Sequence, residues 1–197
     1  MRSQTPPYEL IARITVGLIC VGYLTHRIAP AFYPGALATV MAICVILIIA
    51  CVGLELYVRI GQAKAGNLFL IRNATFYTGI LILVLVISNL YQLVDIHFLA
   101  DEPPTYGELI ARLFYVGFGL GFTTLTFSFI YFDSVMIEHR NGALHTTLPV
   151  FSVTNVAVEE EELLISSQEA RDVLLRRPQF PSAAWSELRT RVSALKN

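Results

Sequence analysis

The chain has 197 residues, of which 55% are hydrophobic and only 15% charged, and its net charge is −1. Soluble domains carry about 25% charged residues, so this composition excludes disorder and argues against a water-soluble globule. The near-zero charge offers no basic surface to nucleic acid, and three cysteines with no CxxC pair exclude a disulfide scaffold and a cysteine zinc site.

The expected class is an all-α membrane protein: four transmembrane helices, a soluble helical tail, and both termini cytoplasmic. A hydrocarbon core about 30 Å thick needs roughly 20 apolar residues. Ile28–Leu54, Asn73–Val94 and Leu113–Phe132 each meet this without one Asp, Glu, Lys or Arg. A first span is shorter, with a clean apolar stretch only over Ile14–Thr25. It reaches full length by extending back to Tyr8, which places Arg13 one turn from Glu9, where the two pair and snorkel at the membrane edge. The competing reading is a cleaved signal peptide ending at Ala29-Pro30-Ala31; the late start of the apolar stretch and Pro30 weigh against it. The spans are expected at about 8–27, 34–58, 72–95 and 108–133, within a membrane domain of residues 1–140.

Lys and Arg near the span ends set orientation. Arg2, Arg13, Arg59, Lys64, Arg72 and Arg140 fall on one side, against Arg27 and Arg112 on the other. This excess predicts a bacterial inner-membrane protein with both termini inside. Asp101-Glu102-Pro103-Pro104-Thr105 is the clearest break between spans.

Polar residues within spans are where function is sought first. Glu55, inside the second span, is a candidate ion-coupling carboxylate, although Arg59 at i+4 offers it a structural partner. On the third span Thr75, Thr78, Ile82, Leu85, Asn89 and Gln92 share one face, with Asp95 at its edge, as a helix-packing or subunit seam. On the fourth, Gly117 and Gly121 form a GxxxG pair, with Thr124 and Ser128 on the same face, which permits close helix approach. Ala38 and Ala42 give the second span a similar small face. Cys20, Cys44 and Cys51 read as apolar packing residues. His26 and His97 are the only thin candidates for a metal or haem. No cofactor and no catalytic residue is expected: P-loop, GxSxG, HExxH and CxxC patterns are all missing. Asn73-Ala74-Thr75 fits a glycosylation acceptor but opens a span. Glu9-Leu-Ile-Ala-Arg13 recurs as Glu108-Leu-Ile-Ala-Arg112, a five-residue echo.

The tail, 141–197, is expected to hold two short helices, with Leu148–Val158 extended or loop. Glu159–Arg177 opens with four glutamates and closes with two arginines, which suits a helix dipole, and Pro178 ends it. In Ser182–Leu195, Trp185, Leu188, Val192 and Leu195 form one apolar stripe. So short a helix needs something to lie against: its own chain, a partner, or the bilayer surface.

Tyr8–Arg59 combines a first span bearing an early Arg, the turn Ala31-Phe32-Tyr33-Pro34-Gly35 and a Leu/Ile/Ala-rich span. In this it resembles the small membrane subunit of tripartite tricarboxylate transporters. The resemblance implies a subunit beside a large permease fed with carboxylates by a binding protein, and it assigns no binding residue. From the small-residue helix faces, the missing catalytic motifs and the tail helix with its apolar stripe, the functional expectation is a non-catalytic accessory subunit of a larger membrane complex, a carboxylate transporter or a respiratory or photosynthetic assembly. Its expected partners are the lipid bilayer and other integral membrane subunits, not nucleic acid. The alternative is a homo-oligomeric channel or carrier using Glu55 and the Asn89/Gln92 seam.

Overall fold

A computed structural model describes residues 7–95, 104–142 and 144–195. The chain divides into two compact units, one from residues up to Tyr57 with Gly79–Leu125, the other from Val58–Thr78 with the residues from Thr126 on.

The first unit is built from α1 (Pro7–Ile28), α2 (Pro34–Lys64) up to Tyr57, α3 (Ala74–Val94) from Gly79, and α4 (Tyr106–Thr126) up to Leu125. All four are long and apolar enough to cross a membrane. Their starts have local causes. Pro34, whose missing N–H costs nothing at a first helical position, opens α2. The Asn73 Oδ1 accepts the Phe76 N–H at 2.8 Å and caps α3. Thr105 and Glu108 form a reciprocal capping box for α4 (3.1 and 3.3 Å). Ile19, Met41, Val45, Ile48, Ile110 and Val116 fill the space between helices, with Tyr23 stacked on Phe114 at 4.2 Å. Outward-facing side chains such as Val21, Ile46 and Leu81 are bare, as lipid-solvated positions would be.

The second unit overturns the all-α expectation. It holds two antiparallel sheets: a four-stranded one of β1 (Leu68–Leu70), β2 (Phe129–Phe132), β3 (Met136–Asn141) and β4 (Leu144–Pro149), and a three-stranded one of β5 (Val153–Val158), β6 (Glu162–Ser167) and β7 (Val173–Arg176). A single core joins the sheets: Phe69, Ile130, Ile137 and Leu148 from the first meet Val156, Leu163, Ile165 and Leu175 from the second. The helix α5 (Ser182–Ala194) adds Trp185, Leu188 and Val192 to it.

Two expectations fail here for physical reasons. Glu159–Arg177 is not a helix: Leu163 and Ile165, then Val173 and Leu175, are buried at alternate positions, the strand period, with a bend between. The glutamates lie at the β5–β6 turn, where Arg177 binds Glu161 (2.6 Å) and Arg176 binds Glu162 (3.0 Å) across strands. The fourth span also stops short of residue 133. The helix ends at Thr126, and the apolar run that follows is β2, paired with β1 on one side and β3 on the other. Hydropathy alone does not separate a buried strand from the end of a helix. Asn141-Gly142, a strong tight-hairpin signal, turns β3 into β4 with Gly142 at φ +62°.

Candidate functional site

α2 has 31 residues, about 46 Å at 1.5 Å each, so it outruns a hydrocarbon core of about 30 Å. Its last turns belong to the second unit and lie on the outer face of the four-stranded sheet. There the Arg59 Nη1 donates to Glu138 Oε2 (3.2 Å) and to Gln62 Oε1 (3.0 Å), while Nη2 donates to Glu138 Oε1 (3.1 Å). The guanidinium sits 4.1 Å above the Phe129 ring, and its buried Nε has no hydrogen-bond partner among the described residues. The ring face supplies the cation with an electrostatic contact in place of a hydrogen bond. His145 Nε2 shares a hydrogen bond with Glu138 Oε1 at 3.1 Å.

Register explains the convergence. Glu138 lies opposite Tyr131 on β2 and Thr147 on β4, and His145 is two residue pairs along, opposite Arg140 and so on the same face. Burial alone would raise the Glu138 pKa, but the hydrogen bonds from His145 and Arg59 override it and hold the carboxyl down to about 2. Neighbouring His139 is pushed down to about 4, first by burial and then by the charge of His145. Burial, then Asp133 and Glu138, raise the Tyr131 phenol. With both oxygens of Glu138 occupied by donors, this cluster is a fastening rather than a base: it ties the end of α2 to β3 and β4.

The residues singled out from the sequence fall elsewhere. Glu9 and Arg13 pair at 3.5 Å, as expected. Glu55 is buried, 5% exposed. Arg59, the partner expected for it, has its Nη groups on Glu138 and Gln62. Asn89 is engaged: its Oδ1 accepts from Arg112 Nη1 at 3.1 Å, and its Nδ2 donates to the Leu85 carbonyl at 2.8 Å. Gln92 lies one turn on, with Oε1 buried and no partner among the described residues. Gly117 faces Ile19 and Val45, and Gly121 faces Val16, so this face of α4 is used inside the chain against α1 and α2. Thr124 donates to the Gly121 carbonyl (2.7 Å). Ser128 lies beyond α4, not on a span. It is fully buried, and its Oγ accepts from the Gly142 N–H and from Asn73 Nδ2. The same Asn73 amide reaches Asn141 Oδ1 (2.7 Å).

Trp185, Leu188 and Val192 are buried in the second unit's core and Leu195 packs against it, so the stripe lies on its own chain. Cys44 and Cys51 are buried. His26 ends α1, and His97 lies outside the described residues.

One feature of the second unit had no signal in the sequence. Phe151, 80% exposed, adjoins Val135, 62% exposed, and Met136: the Val150 N–H donates to the Val135 carbonyl (2.9 Å), and Met136 pairs with Pro149. No protein-family model, curated protein or solved structure matches this chain.

Proposed function

We propose that the chain is a non-catalytic accessory subunit of a larger membrane complex. Four apolar helices hold a β-sandwich module at the bilayer, and the module docks on another polypeptide. The observation carrying this reading is the corner formed by Val135, Met136 and Phe151. Single exposed apolar side chains are ordinary, but an adjoining group with a bare aromatic has the composition of an interface core. The resemblance of residues 8–59 to a small transporter subunit makes a carboxylate transporter one candidate complex; a respiratory or photosynthetic assembly is the other. In a mild-detergent extract on a native gel, the wild-type chain co-migrates with a second polypeptide. Val135→Ser with Phe151→Ser releases that band without lowering the melting temperature. A wild-type chain that migrates alone defeats the reading.

Orientation belongs to the same proposal. The β1–β2 ladder supports the α2–α3 connection and the residues after α4 lying on one side of the bilayer, because the two spans between them return the chain to that side. The excess of Lys and Arg there supports the cytoplasmic side of a bacterial inner membrane. An impermeant maleimide on Ser134→Cys then reacts in inside-out vesicles and not in intact cells.

A second reading, a homo-oligomeric channel or carrier, draws on buried Glu55 and on the Arg112–Asn89 bond within the spans. It requires solute flux in liposomes that changes in Glu55→Gln.

A further inference from the structure

Tyr33 occupies a position that its side chain does nothing to suit. Its carbonyl accepts the Leu37 N–H at 3.0 Å, which makes it the N-cap of α2. Ser, Thr, Asn, Asp and Gly are favoured there, because a short polar side chain bonds the free helical N–H groups and glycine leaves the backbone unhindered. Tyrosine does neither. Its φ is +39°, in the left-handed region that strains a bulky residue, and no other non-glycine residue among those described has a positive φ. The side chain held this way is 73% exposed. A ring set against capping, backbone preference and burial at once has a use outside the fold.

The segment around it has the same character. Ile28, the last residue of α1, is 83% exposed, and Ala29, Pro30, Ala31 and Phe32, which lead from it to Tyr33, are exposed as well. Arg27 is the only Lys, Arg, Asp or Glu between Thr25 and Pro34. Phe32 stands edge to face on Tyr33, with ring centroids 5.2 Å apart, and the exposed Tyr106 lies against Gly35. Three exposed aromatic rings thus gather where α2 and α4 begin, an apolar patch at a turn, where a water-solvated chain would be polar.

In a bundle that crosses a bilayer, length fixes the level of this turn. On α1 the Glu9–Arg13 pair marks one edge. Ile28 follows Arg13 by fifteen residues, about 22 Å, which falls about 8 Å short of a hydrocarbon core of about 30 Å. On α2 the uncharged run from Pro34 to Leu54 covers about 30 Å, so the hydrocarbon reaches to Pro34 itself. Two helices of different length thus give the same level for the residues between them, the boundary of hydrocarbon and headgroups. Tyrosine, with an apolar body and a polar tip, settles at that boundary, and Arg27 has a stem long enough to bring its charge to the headgroups.

We infer that the α1–α2 turn is seated in the bilayer interface, with Ile28 at the hydrocarbon edge and Phe32 and Tyr33 among the glycerol and headgroup oxygens, and that it anchors this end of the bundle to lipid. This rests on the four helices crossing a bilayer and not on the docking corner at Phe151. Lipid is the occupant, rather than another polypeptide, because the flanking helices by their lengths already carry the turn to lipid depth.

The test uses the full chain in liposomes of phosphatidylcholine whose acyl chains carry bromine either near the glycerol or near the methyl end. Trp185→Phe removes the one native tryptophan, and Phe32→Trp or Ile46→Trp then supplies a single reporter, Ile46 being an exposed residue well inside the uncharged run of α2. At position 32, bromine near the glycerol should quench about twofold more than bromine near the methyl end, and iodide in the buffer should quench little, as for a ring in an interfacial belt. At position 46 the order of the two bromines should reverse. Where Phe32→Trp does not fold, Tyr33→Trp takes its place. With position 46 quenched by bromine, three results at position 32 overturn the inference: quenching by iodide alone, which places the turn in water; quenching by neither, which places it under a second copy of the chain; and stronger quenching by the methyl-end bromine, which buries it in hydrocarbon. If position 46 itself escapes bromine, the helices do not cross the bilayer, and the spanning arrangement falls together with the anchor.

Discussion

Arg59 and Glu138, 79 positions apart, meet through two parallel N–H···O bonds of 3.2 and 3.1 Å. Both side chains are mostly buried, and neither is near the other in sequence. The pair makes the last turns of α2 part of a β-structure. Helix and sheet cannot separate there without stranding a charge on each side.

Removing one member should therefore cost more than removing both. Glu138→Leu leaves the Arg59 guanidinium on Phe129 without its counter-ion and should cost roughly 3 kcal/mol. Arg59→Met with Glu138→Leu should recover more than half of that. Chemical denaturation in detergent measures both, and additive losses would mean the pair contributes no coupling.

Acid should act in two windows. His139 is held down to about 4 against an ordinary 6.5, so the unfolded chain binds the proton first. Its contribution to stability is complete above 6.5 and is lost as pH falls toward 4. Glu138, held down to about 2 against 4.5, adds a second loss between those values. The melting temperature of the wild type should fall between pH 6.5 and 4, and His139→Gln should flatten that limb while sparing the lower one. A profile unchanged by the substitution would reject this assignment.

The α4 glycines should not tolerate a methyl group. A Cβ on Gly117 would run into Ile19, and one on Gly121 into Val16, whereas one on Gly17 or Gly53 meets nothing within 4 Å. Gly117→Ala and Gly121→Ala should each lose about 1–3 kcal/mol by overpacking. Gly17→Ala and Gly53→Ala should match or exceed the wild type. Melting curves of the four variants make the comparison.

Trp185 separates a packing role from a docking role. It is 4% exposed, and its Nε1 donates to the Glu160 carbonyl at 3.1 Å. Trp185→Ala should cost about 3–5 kcal/mol, and Trp185→Phe much less, since it keeps most of the volume and loses the hydrogen bond. Phe151→Ser should leave stability within about 0.5 kcal/mol. Reversal of this order would place the docking surface on α5 instead of the corner at Phe151.

The four apolar helices were readable because length and low charge are a one-dimensional signal: α2 and α3 follow long stretches without charge, and α1 and α4 carry their charges near the ends. The expected starts at 8, 34, 72 and 108 lie within two residues of those seen at Pro7, Pro34, Ala74 and Tyr106. Leu148–Val158, expected as extended or loop, holds the strand β5, but the rest of the β-structure was not readable, for several reasons. Phe129–Phe132 continues the apolar run of α4 and so looked like lipid-facing helix. Leu68–Leu70 is three residues long, too short for any periodicity. In Glu159–Arg177 the charge order matched a helix dipole, and that outweighed the alternation of Leu163, Ile165, Val173 and Leu175. Arg59 carried a plausible local partner at i−4, which hid a distant one set by strand register. The apolar stripe on α5 was visible, but only the sheets show that it needs no partner outside the chain.

The brief strand β1 reaches beyond its length. It is translated before α3 and α4, and its ladder partner β2 only after them. Phe69 and Ile71 from this segment are core residues of the second unit. The sandwich is thus one staple short until the ribosome has delivered both later helices, and a fragment beginning at residue 126 would have a sheet with a missing edge and a core without Phe69 and Ile71.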